Sequence, residues 1–155
     1  MTYNQTLQQN KSIAALSPKE RKACLKALAH LSRLDGYVDD DEKAFIADMA
    51  QVYDTAPDPD LYDPQPEDAV LEELTQIDNR AAALQLIKDL CFLGHADDNL
   101  SPEEVLFIGH AGLSMGIEIE KIEQISDWVV DRIIWQERGK LIMELSDTQE
   151  NDHAE

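Results

Sequence analysis

Two short acidic stretches hold the residues best suited to chemistry: Asp35-Gly-Tyr-Val-Asp-Asp-Asp-Glu42 and Asp97-Asp-Asn-Leu-Ser-Pro-Glu-Glu104. Asp97, Asn99 and Ser101 alternate side-chain oxygens much as the first three ligands of a calcium loop do, so a divalent cation, calcium or magnesium, is what this pattern could hold. The pattern departs from an EF-hand at two required points. Counted from Asp35 or Asp97, the sixth position is Asp40 or Pro102 where glycine is needed, and the twelfth is Ile46 or Ile108 where glutamate is needed. What is left is a weaker oxygen set: Asp35, Asp39 and Glu42 in the first stretch, and Asp97, Asn99, Ser101 and Glu104 in the second. Most of these residues have a second explanation. Asp39 and Ser101 fit helix N-caps, Glu42 and Glu104 complete capping boxes, and Val38 and Leu100 take the staple position. Asp35 and Asp97 escape it, since each ends a preceding helix, where the dipole disfavours an anion.

Catalysis finds no comparable support. His30, His95, His110 and His153 lack the spacing of a helical zinc site, and only His95 stands near an acidic stretch. The six glycines are scattered, which leaves neither a phosphate-cradling loop nor a serine elbow. Carboxylates on solvated loops have little to raise one pKa above another. No catalytic or cofactor-binding residue is assigned, and a non-enzymatic protein is expected.

The elements that would position the acidic stretches are helices. Ser17-Pro18-Lys19-Glu20 reads as a capping box, and Cys24, Ala27, Leu28, Leu31 and Leu34 then recur at helical spacing until Asp35-Gly36. A second helix is expected to bury Phe45, Ile46, Met49, Val52 and Tyr53. Residues 55–66 hold four of the six prolines and read as a loop anchored by Leu61 and Tyr62. A short helix carries Val70, Leu71, Leu74 and Ile77, and Asp78 is placed to cap a long one with Leu86, Ile87, Leu90, Cys91 and Leu93. Ser101-Pro102-Glu103-Glu104 opens the next, which carries Phe107, Ile108, Ala111 and Met115 and stops at Gly116. A last helix spans about Glu118 to Leu145, with Ile122, Ile125, Val129 and Ile133 as its buried stripe. Trp128 and Trp135, seven residues apart on one face, either complete the core or form a dimer patch.

No run alternates with the period of a strand, so the fold class is all-α. A shift of 62 residues lays Lys26 on Lys88, Leu28 on Leu90, Leu31 on Leu93, Asp35 on Asp97, Glu42 on Glu104, Phe45 on Phe107 and Ile46 on Ile108. A single-domain helical bundle is expected, built from a duplicated helical hairpin with a covering C-terminal helix. Residues 1–16 form an N-terminal segment, 17–146 the helical domain and 147–155 an acidic tail expected to be disordered.

Leu34-Asp35-Gly36-Tyr37-Val38-Asp39-Asp40-Asp41-Glu42 and Ala96-Asp97-Asp98-Asn99-Leu100-Ser101-Pro102-Glu103-Glu104 resemble the acidic corners of the TerB-like family. That family includes tellurite-resistance TerB proteins and the N-terminal domain of membrane-anchored DnaJ-like co-chaperones. The similarity covers about residues 17 to 135, with Asp98 where the family usually has glycine. It implies a compact helical domain without established catalysis, whose corners have been proposed to bind metal, working in stress-response assemblies beside integral-membrane partners. The carry-over concerns Asp35, Asp39, Glu42, Asp97, Ser101 and Glu104.

Charge narrows the partners. Thirteen basic residues against 32 acidic give a net charge of −19, and no Lys or Arg lies between Lys43 and Arg80 or between Lys88 and Lys121. Phosphate backbones and anionic lipid surfaces would be repelled, so nucleic acid is excluded and basic protein surfaces, including those of membrane-associated proteins, are the expected partners. No apolar run approaches a bilayer span and the first residues lack a signal-peptide core, so a cytoplasmic protein without membrane insertion is expected. Cys24 and Cys91 sit in apolar helical patterns and read as reduced core thiols. Two functions remain: a non-enzymatic interaction module with a weak divalent site at its corners, or a metal sensor or buffer in which that site is the function. Oligomeric state stays open.

Overall fold

A computed structural model describes residues 14–34, 40–56, 59–95 and 100–154, apart from the side chains of residues 41, 42, 62 and 145–154. The described residues form six α-helices and no strand: α1 (Pro18–Arg33), α2 (Asp40–Val52), α3 (Glu67–Leu74), α4 (Arg80–His95), α5 (Pro102–Ser114) and α6 (Ile119–Ala154), with a 3₁₀ turn at Pro59–Tyr62. The two hairpins, α1–α2 and α4–α5, share one frame. Pro18 and Arg80, Arg33 and His95, Asp40 and Pro102, and Val52 and Ser114 are each 62 positions apart.

Local chemistry sets the boundaries. The Ser17 Oγ accepts from the Glu20 amide at 3.2 Å while the Glu20 carboxylate accepts from the Ser17 amide at 2.9 Å, so two amides that α1 cannot satisfy internally are paired. Gly116, at φ +78, ends α5, and the Ile117 amide donates back to the Gly112 carbonyl at 2.9 Å. The cap of α4 is Asn79 and not Asp78: its Oδ1 accepts from the Ala82 amide at 3.0 Å. Only the residue just before the first helical position can reach that amide, and α4 begins at Arg80.

α1 and α4 form the centre. α1 packs against α2, the 3₁₀ turn, α3, α4 and α5, and α4 against α1, α5 and α6. Leu25, Leu28 and Leu31 meet Leu86, Ile87 and Leu90 in one core with Phe107, each such side chain contributing about 1.5–3 kcal/mol when fully buried. Leu61 anchors the proline loop in that core, and the Arg33 guanidinium donates to its carbonyl at 2.9 Å; the Tyr62 side chain lies outside the described residues. Val52, expected on the buried stripe of α2, is 42% exposed. The face of α2 that turns inward carries Ile46, Ala50 and Tyr53, and Val52 lies about 100° round from Tyr53.

α6 covers α4 and α5 with Ile122 and Val129, and Ile125 and Ile133 pack at the core's edge. Gly112 is what allows this approach, since a Cβ there would meet Ile122 Cγ1 at 2.8 Å. The helix continues through Ala154 instead of ending near Leu145; after Gly139 no glycine or proline interrupts it. At 1.5 Å per residue its 36 residues extend about 54 Å, against about 24 Å for the 16 of α4. The helix outruns the body it covers.

Candidate interaction surface

At the second acidic corner, Ser101 and Glu104 are used by the fold. The Glu104 amide donates to Ser101 Oγ and the Ser101 amide to Glu104 Oε1, both at 3.2 Å, and Glu104 is only 3% exposed. Gly94 makes room beside it, because a Cβ there would collide with Leu100 Cδ1 and stand 3.5 Å from Glu104 Oε2. Asp35, Asp39, Asp97 and Asn99 lie outside the described residues, as does the side chain of Glu42. Among the described residues no group of three or more His, Cys, Asp or Glu side chains is arranged to hold a metal ion.

The other titratable groups of the interior serve packing. Cys24 and Cys91 are buried free thiols whose pKa values burial pushes up to about 12 and about 11, which holds them as unreactive thiols. The His30 ring lies 4.7 Å from that of Phe107, and its Nε2 is 3.1 Å from Glu67 Oε1. His95 Nε2 is buried without a hydrogen-bond partner among the described residues, and burial lowers its pKa. Tyr53 donates to Asp89 Oδ2 at 2.7 Å and Gln85 to both Asp89 oxygens at 3.1 Å. Burial raises the pKa of Asp89 while these donors oppose the rise. Phe45, Met49, Phe92, Lys88, Asp89, Arg132 and Gln136 line a cleft of about 270 Å³ between α2, α4 and α6, and the Arg132 guanidinium sits 5.5 Å above the Phe92 ring. Beyond this cleft α6 leaves the bundle.

Past it the apolar side chains face solvent. Trp135 is 74% exposed, and Ile134, Leu141, Ile142 and Met143 are all more than half exposed; Trp128, nearer the bundle, is 47% exposed. Of the two sequence-based readings for the tryptophans, core completion fails for Trp135. Asp131, Ile134, Trp135, Arg138, Gly139 and Ile142 line a groove, and all six belong to α6. A groove walled by one helix needs its opposite wall from elsewhere. Trp128, Trp135 and Ile142 recur every seven residues, as do Ile134 and Leu141, the spacing of a seam between helices. The sequence reading reached the two tryptophans and missed the rest of the seam; one further step of seven from Trp135 reaches Ile142.

Among the described residues no helix is long and apolar enough to cross a membrane. No family model, curated protein or solved structure matches the chain.

Proposed function

We propose that this protein is a non-enzymatic helical interaction module of the cytoplasm that docks other protein surfaces through the far half of α6. The observation that carries this reading is the seven-residue apolar seam around Trp135, which stands clear of the core. Exposed apolar area of this kind costs solubility unless something covers it in use. The acidic remainder supports basic surfaces, membrane-associated ones included, as further contacts, and keeps nucleic acid away. The TerB-like resemblance of the corners supports a place in a stress-response assembly. At those corners the reciprocal bonds of Ser101 and Glu104 favour helix capping as the use of both residues.

The test is photo-crosslinking in cells from a reactive residue placed at position 135, with the exposed Glu72 of α3 as control position. A discrete adduct from 135 and none from 72 is expected. No adduct from 135, or equal labelling from both positions, would overturn the reading.

A further inference from the structure

The seam carries one acid and one base in the line of its apolar residues. Asp131 and Arg138 both line the groove, seven residues and therefore about 10.5 Å apart along the axis. Neither has an ion-pair partner among the described residues, whereas Lys140 is already drawn to Glu137 at 3.3 Å. A surface holding one charge of each sign, equally spaced about its apolar centre, complements itself when turned end for end.

We propose that two copies of the chain pair through the far halves of their α6 helices, antiparallel, about a two-fold axis at Ile134 and Trp135, setting Asp131 of each copy beside Arg138 of the other. This rests on the reading of α6 as the docking face and names its partner. In a parallel pair Asp131 would face Asp131 and Arg138 would face Arg138, so only the antiparallel arrangement satisfies both. The same arrangement lays Leu141 of each copy against Trp128 of the other, and Gly139, whose missing Cβ has nothing within 4 Å, leaves room for an incoming ring.

Net charge points the same way. A chain at −19 resists meeting itself, yet residues 127–142 hold three bases, Arg132, Arg138 and Lys140, against three acids, Asp127, Asp131 and Glu137. Antiparallel pairing about Ile134 and Trp135 lays this net-neutral stretch of each helix along its own counterpart.

Sedimentation velocity of the full chain over a concentration series tests the pairing. The native sequence should reach a dimer, and Trp135→Glu, at an exposed position that leaves the fold intact by circular dichroism, should stay monomeric. Asp131→Arg or Arg138→Asp alone places two like-charge contacts in each pair and should weaken it about tenfold. The double reversal Asp131→Arg/Arg138→Asp should restore it, and the two single variants mixed should form the hetero-pair in preference to either homodimer. A native chain that stays monomeric at every concentration overturns self-pairing, as does a dimer indifferent to the single reversals. A crosslinked adduct from position 135 at other than twice the chain mass would then keep the docking face and remove this partner, and absence of any adduct would remove both.

Discussion

The near and far halves of α6 are the same helix put to two uses. In the near half the apolar residues Ile122 and Val129 are buried against α4 and α5, and Gly112 on α5 makes room for Ile122. In the far half an apolar stripe of similar strength is left in water, and the glycine it contains, Gly139, makes room for nothing in the described chain. Pattern alone therefore does not say which stripe builds the fold. The length of the neighbours does: α4 and α5 end, and α6 goes on.

Substitutions that should cost stability in one half and not the other can break this contrast. Ile122→Ala, at 5% exposure, should lower unfolding stability by about 2–5 kcal/mol. Ile142→Ala, 60% exposed, should change it by no more than about 0.5 kcal/mol in dilute protein. Denaturant titration of both variants decides, and comparable losses would erase the distinction. The glycines offer a second, signed comparison. Gly112→Ala forces a methyl into Ile122 and should destabilise by about 1–3 kcal/mol. Gly139→Ala meets nothing and should stabilise the helix by about 0.5–1 kcal/mol, read as a raised thermal midpoint.

Smaller effects sharpen where one half gives way to the other. Arg132, over Phe92, is the last charged anchor before α6 leaves the bundle, and Arg132→Ala should cost about 0.5–1 kcal/mol. At the start of α6, Arg80 Nη1 donates to Glu118 at 3.1 Å and holds its carboxyl down to about 2, below the ordinary 4.5. A carboxyl depressed in the folded state contributes stability that is whole above its unfolded value and lost as the pH falls through its folded one. Native protein and Glu118→Gln should therefore converge in thermal midpoint between about pH 4.5 and pH 2. A gap that persists to the bottom of that window would mean the ion pair does not anchor the helix start.

Much of the fold can be read from the residues because its boundaries are set by local chemistry. Ser17 and Ser101 with their glutamates, and Gly116 in the left-handed region, act within one helical turn, and all three stand where the sequence puts them. Asn79 in place of Asp78 shows the limit of that reading: adjacent residues can both cap, and the helix start is fixed to one residue only by what α4 packs against. Val52 shows another, since an apolar residue at the margin of a stripe is buried or not according to the width of the neighbour. The corners that the sequence singles out are legible as capping at Ser101 and Glu104. Asp35, Asp39, Asp97 and Asn99 fall outside the described residues, so their part in the corners rests on spacing alone. The seam was legible only in part, because whether Trp135 is core or surface depends on how far α4 reaches along α6, and a long-range length is not written in either tryptophan's neighbours.

The most direct test of the far half as a surface covered by a second copy is the emission of Trp135 alone, in a Trp128→Phe chain, as the protein is concentrated. The account predicts the spectrum of a solvated indole when dilute and a shift to shorter wavelength as partners cover it. An emission maximum that stays fixed at every concentration would contradict the pairing.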